Sequence, residues 1–284
     1  MLHHFLMMVV GRKVEEEEGE YNQMKVEIND FDKKLNKLTF IVSDINPSFA
    51  NAIRRLIVSE VPTMAIEDVE IRKNSSILYD EMVAHRLGLI PLTTDLKAYN
   101  LQNECTCKGV GCAKCTLKLT LSAKGPKIVT AADIKSKDPK VKPVDKDHLL
   151  VKLLEGQELE IEATAILGVG KEHVKWSPGH TIYRYYPTVK IGKQPKNPEA
   201  IKELCAFDVF DVKGGKLSVK NELNCTHCNA CTDVLKEGEI EVTGDDTKYI
   251  FEVESWGQLE PKEIVEKAIS VYKAKLKEFD TKLK

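Results

Sequence analysis

The chain has 284 residues, 42% of them hydrophobic, which is enough for two or three small cores and too many for one compact domain of ordinary size. Its 42 basic and 44 acidic side chains balance, so no net field drives it onto nucleic acid or an anionic membrane, and strong direct DNA binding is not the default. Only six basic residues are arginine, and Arg54, Arg55, Arg72 and Arg86 share one segment, where forked donors suit defined contacts.

In chain order, MLHHFLMMVV is apolar for ten residues only, too short for a membrane span, and it has neither the basic leader nor the cleavage site of a signal peptide. Residues 1–23 are expected to form a flexible extension ahead of Met24, in a chain expected in the cytoplasm. The alternation of residues 25–31 pairs with KLTFIVSDI (37–45) as a hairpin turning at DKK. A helix follows, capped by Asn46 with Pro47 in its first turn. Phe49, Ile53, Leu56 and Ile57 share one face of it, and Pro62 closes it.

Further on, ELEIEATAI (158–166) alternates strictly, as a sheet with one wet face requires. Residues 239–254 read as a second hairpin turning at Gly244 and two aspartates. Lys- and Pro-rich stretches at 135–147 and 191–203 read as linkers or long loops. From Pro261 to about Leu283 the pattern is one helix, ~34 Å long at 1.5 Å per residue. Its Ile264, Ala268, Tyr272, Phe279 and Leu283 share a face, which either the chain's own sheet or a partner subunit would cover.

All eight cysteines fall into two fours. Cys105, Cys107, Cys112 and Cys115 lie in ECTCKGVGCAKC, where Gly109 and Gly111 let the loop fold back. Four thiolates from one short loop suit a closed tetrahedral site, with structural zinc the usual occupant; disulfide pairs, iron or an empty loop remain open. Cys225, Cys228 and Cys231 follow each other at steps of three, with Cys205 distant. Such a triplet wraps one corner of a cubane while the fourth cysteine completes it, so an iron–sulfur cluster is favoured over zinc. The likeness to a ferredoxin is local, because Thr232 and Asp233, not proline, follow Cys231, and His227 reads as a loop residue. GVGKEH (168–173) reads as a strand-ending turn rather than a nucleotide loop, and Asp30 and Asp32 as solvated turn carboxylates. The sequence contains no Ser/His/Asp set or phosphate loop.

The segment NAIRRLIVSEVPTMAIEDVEIRKNSSILYDEMVAHRLGLIPL (51–92) resembles the signature of the D subunits of archaeal RNA polymerases. It is similar also to the third-largest subunit of eukaryotic RNA polymerase II and to the amino-terminal domain of the bacterial alpha subunit. KEHVKWSP (171–178), RYYPTVKI (184–191), GGKLSVKNELNCTHCNAC (214–231) and VESWGQLEP (253–261) extend the resemblance in order. It implies a non-catalytic assembly platform in a nucleotidyltransferase complex, pairing with subunit L, joined by subunits N and P, and docking the two large catalytic subunits. The implied fold is α+β: a discontinuous dimerisation domain (24–61, 179–193, 247–284), an inserted mostly-β domain (62–178) and a small ferredoxin-like iron–sulfur domain (194–246). It places zinc on Cys105, Cys107, Cys112 and Cys115, and a 4Fe-4S or 3Fe-4S cluster on Cys205, Cys225, Cys228 and Cys231. Asn51, Arg54, Arg55, His85 and Arg86 match positions that support contacts with the large subunits. Neither a membrane, a small-molecule substrate nor much DNA contact is implied. The rival reading is a single-cluster redox protein.

Overall fold

The computed structural model describes residues 24–236 and 238–283, so the expected extension at 1–23 lies outside the described residues. The described residues form an α+β structure built around three hydrophobic cores. In order, the elements are β1 (Lys25–Asp32), β2 (Lys37–Ser43), α1 (Pro47–Glu60), β3 (Pro62–Asn74), α2 (Asp80–Gly88), β4 (Thr116–Lys124), β5 (Lys127–Thr130), β6 (Lys135–Ser136) and β7 (Leu149–Leu153). There follow β8 (Glu158–Val169), β9 (Gly179–Ile191), α3 (Pro198–Leu204), β10 (Phe210–Lys213), β11 (Lys216–Val219), α4 (Ala230–Asp233), β12 (Ile240–Ser255) and α5 (Pro261–Leu283).

The first body is a four-stranded sheet in the order β1-β2-β12-β9, assembled from three separate stretches of chain, with α1 and α5 on one face. Strand alternation in β2 sends Leu38, Phe40 and Val42 to that face, where Phe40 stacks on Phe251 of β12 with ring centroids 5.1 Å apart. Asn46 caps α1 as expected, its side-chain oxygen accepting from the Phe49 N–H at 2.8 Å. Ala50, Ile53, Leu56 and Ile57 are the buried stripe.

The second body is the antiparallel sheet β3-β8-β4-β6, with the β5-β7 ribbon and α2 packed on it. In β4 and β8 the alternation is clean: Leu117, Leu119, Leu121, Leu159, Ile161, Ala163 and Ala165 are buried while their neighbours face water or the sheet rim. The glycines of GVGKEH sit at the end of β8, as a strand-ending turn. A side chain on Gly168 would lie 2.4 Å from the Trp176 ring, and one on Gly170 2.1 Å from the Val58 carbonyl oxygen, so close packing is what both positions serve.

The hairpin expected over 239–254 is not formed. The segment is one strand, β12, that stays paired to the 13-residue β9 on both sides of an irregularity between Asp245 and Tyr249. Asp245 accepts from the Thr247 N–H at 2.8 Å and from its hydroxyl at 2.7 Å, so the turn-forming residues close a bulge instead of reversing the chain. This continuity matters to the architecture. The Lys248–Glu254 half of β12 pairs with β2 inside the first body, whereas Ile240 and Val242 in the other half, with Val189 of β9, line the core of the third.

The third body adds the β10-β11 hairpin, α3 and α4 to those strand ends. The expected loop at 191–203 therefore becomes helical from Pro198, where Asn197 accepts from the Ala200 N–H. Its core is thin: eight buried residues, two of which are Cys225 and Cys231.

Candidate metal centres and assembly surfaces

The first cysteine loop runs from a turn of 3-10 helix (Gln102–Glu104) to the start of β4. Lys108, Gly109 and Gly111 take left-handed backbone angles, φ 54, 82 and 95°, which fold the segment back on itself. Backbone bonds from Lys108 N–H to the Cys105 carbonyl and from Cys115 N–H to the Cys112 carbonyl, both 2.9 Å, form two knuckles. All four sulfur atoms then lie within 4.8 Å of one another. Cys105 to Cys112 is 3.6 Å, Cys107 to Cys115 3.5 Å and Cys112 to Cys115 3.8 Å. A tetrahedron of ~2.3 Å metal–sulfur bonds has edges of about 3.8 Å, so this donor set fits a zinc-sized ion. These separations are well beyond the ~2.0 Å of a sulfur–sulfur bond, and all eight cysteines are free in this structure.

The thiols are electrostatically unequal. The Gly111 backbone N–H, chief among several donors, pulls the Cys107 pKa down to about 6, and burial pushes Cys115 up to about 12.

The second four come from three elements. Cys205 ends α3, Cys225 ends a 3-10 turn at Glu222–Asn224, and Cys231 lies in α4, with Cys228 exposed on the loop between. Left-handed angles at His227 (φ 57°) and Asn229 (φ 60°) bend that loop so that all four cysteines line one small cavity, whose wall includes Phe207, Val209, Phe210 and Val242. Among the described residues, only the first quartet gathers its sulfur atoms within the spacing of a single ion. Four thiols spread more widely than this around a small apolar cavity are a donor set suited to a polynuclear sulfur-rich group rather than one ion. Burial raises the Cys225 and Cys231 thiols, and neighbouring thiols add to the rise. His227 Nε2 lies 3.3 Å from the Thr243 carbonyl oxygen, outside the cysteine set.

The remaining residues singled out in the sequence do not form one site. On α1, the Asn51 side-chain oxygen accepts from Arg54 Nε at 3.1 Å and Nη2 at 3.0 Å, leaving Arg55 exposed. On α2, in the second body, His85 is exposed while Arg86 donates to the Leu150 carbonyl of β7, bracing that body internally. The shared face on α5 divides along its length. Ile264 and Ala268 are wholly buried in the chain's own first core, so at these two positions the chain's own sheet covers the face. Tyr272 is half-buried against Phe49, ring centroids 5.9 Å apart, and Phe279 is 49% exposed.

One surface escaped sequence reasoning. Val26 and Ile28 of the edge strand β1 are 58% and 63% exposed, yet they stand opposite the buried Val42 and Phe40 in the sheet register and so on the same face. The apolar face therefore continues past the two helices into the open. The alternation in KVEIND carried that signal, but not the fact that nothing in the described chain covers it.

These features define a class: an α+β chain in which a β-rich body interrupts a sheet-and-helix body assembled from separate stretches of sequence. Residues 69–181 match the family model described as the RNA polymerase Rpb3/RpoA insert domain. The chain is 39% identical over 261 residues to DNA-directed RNA polymerase subunit Rpo3 of Methanosphaera stadtmanae, covering 89% of this chain and 96% of that one. The same subunit from Archaeoglobus fulgidus is 36% identical over 90% of this chain and 97% of its own length, and that from Pyrococcus furiosus 37% over 91% and 97%. The chain belongs to this DNA-directed RNA polymerase subunit family. Among the described residues no helix is long and apolar enough to cross a membrane.

Proposed function

We propose that the chain is the non-catalytic assembly platform of a cytoplasmic DNA-directed RNA polymerase. It pairs with the small subunit L, receives subunits N and P, and uses Asn51, Arg54, Arg55, His85 and Arg86 to support contacts with the two large catalytic subunits. The observation that carries this reading is near full-length similarity to subunits named Rpo3. What supports the pairing surface is the uncovered apolar face of β1 together with Tyr272 and Phe279 of α5, since an exposed apolar edge strand is otherwise an association hazard. A redox carrier built on one cluster would not need that face, and the polymerase names of the relatives disfavour it.

In this reading Cys105, Cys107, Cys112 and Cys115 hold a structural zinc, with every coordination position filled by sulfur and none left for catalysis. Cys205, Cys225, Cys228 and Cys231 hold a 4Fe-4S or 3Fe-4S cluster in a ferredoxin-like body, in a role that is structural. A body with eight core residues gains cross-linking that its apolar burial alone does not supply.

Co-expression with subunit L tests the proposal. Wild type is expected to elute as a heterodimer, and Val26→Asp with Ile28→Asp to leave a folded monomer, because each side chain contributes about 1.5–3 kcal/mol when fully buried. Heterodimer formation unaffected by both charges would remove this face from the interface. A wild-type chain that stays folded and alone would remove the platform reading.

A further inference from the structure

Arg184 is the only arginine beyond residue 86, and it stands on β9 where the first and third bodies meet. Its guanidinium forks. Nη1 donates to the carbonyl oxygen of Cys225 at 3.1 Å, and Nε lies 3.6 Å from Oε1 of Glu252 on β12. The second carboxylate oxygen of Glu252 is paired with Lys37 on β2. The Arg184 and Glu252 side chains are only 23% and 19% exposed, so water screens this bridge less than it screens surface pairs. A continuous polar link thus runs from the loop bearing one thiol of the second quartet, through the guanidinium, to two central strands of the sheet.

We propose that Arg184 is a positioning residue for the iron–sulfur site: it clamps the Cys225 loop to the sheet and sets a fixed positive charge beside Cys225. The inference rests on the cluster assignment made above. A planar fork can hold a carbonyl and a carboxylate at once, whereas an ammonium is a point charge on a flexible stem. A cluster ligated by four thiolates gains negative charge on reduction, and a nearby cation stabilises that state, raising the potential. A plain salt bridge to Glu252 would affect the fold of β9 and β12 without touching the potential.

The test uses the full chain reconstituted anaerobically with ferrous iron and sulfide, as wild type, Arg184→Met and Arg184→Lys. Three quantities are read: bound iron with visible absorbance, the rate of iron loss to a ferrous chelator, and the midpoint potential by spectroelectrochemical titration. Arg184→Met is expected to lose iron about tenfold faster, the scale of outer-shell losses at metal sites. Its reduced-to-oxidised ratio at a fixed potential should fall by about tenfold, or ~59 mV for one electron. Arg184→Lys should restore the potential but not the retention. Wild-type retention in Arg184→Lys overturns the clamp, and this arm stands even if Arg184→Met fails to fold. Equal potentials in all three proteins, or equal shifts in Met and Lys variants, overturn the charge role. A wild-type chain that takes up no iron overturns the cluster assignment itself, a result distinct from a loaded wild type with indifferent variants.

Discussion

The two thiols at opposite extremes of the first quartet make the residue scale testable. With Cys107 lowered to about 6 and Cys115 raised to about 12, the metal-stripped chain at pH 7 should alkylate at Cys107 well before Cys115, because the thiolate is the nucleophile. Peptide mass spectrometry after a short iodoacetamide pulse reads the order. Uniform labelling would show that the loop's N–H cage is not held in the metal-free chain. A second residue bears on acid stability. The Lys140 ammonium, 2.8 Å away, together with the Lys97 N–H, holds the Asp95 carboxyl below the usual carboxylate range. A carboxyl whose pKa is depressed on folding stabilises the native state above its unfolded pKa, and that contribution is lost as pH falls through the folded value. Asp95→Asn should therefore be less stable than wild type at neutral pH, and the difference should shrink as pH falls below the unfolded carboxyl value of about 4 in denaturant titrations run across pH. A gap that persists in acid would point to lost hydrogen bonding alone.

At the scale of elements, β8 and the turn bearing Trp176 meet with no room between them. Gly168→Ala puts a methyl group 2.4 Å from ring carbon, an overpacking that should cost about 1–3 kcal/mol in urea unfolding. A neutral result would mean that the indole moves freely. Strand β12 shows why local signals differ in what they determine. Gly244 with Asp245 and Asp246 is a turn signal by local chemistry, yet the long partner β9 offers backbone groups on both sides, and ladder pairing absorbs the turn as a bulge. The α1 cap, the α5 span and the alternation of β8 need no such partner, and they form as the sequence indicates. Strands β3 and β9 carry a weaker periodic signal. Each mixes exposed and buried positions, since each serves more than one neighbour along its length.

For the whole molecule, three cores of unequal depth predict unequal dependence on metal. If the second quartet holds the proposed cluster, stripping iron should expose amides of 197–233 to hydrogen exchange, while β3, β4 and β8 keep their protection, because the second body has a large apolar core of its own. Protection retained over 197–233 after iron removal would show that the third body stands on packing alone. Much of this organisation was legible along the chain. Which eight thiols group into two fours, which residues alternate and which face of α5 is apolar follow from spacing, since thiol chemistry and backbone period are local properties. What covers each apolar face is another matter. That Ile264 and Ala268 meet the chain's own sheet, that Val26 and Ile28 stay exposed, and that Arg184 reaches a cysteine loop 41 residues away depends on how distant segments come together. Periodicity marks a surface as apolar, but only the folded arrangement sets whether the same chain or another buries it.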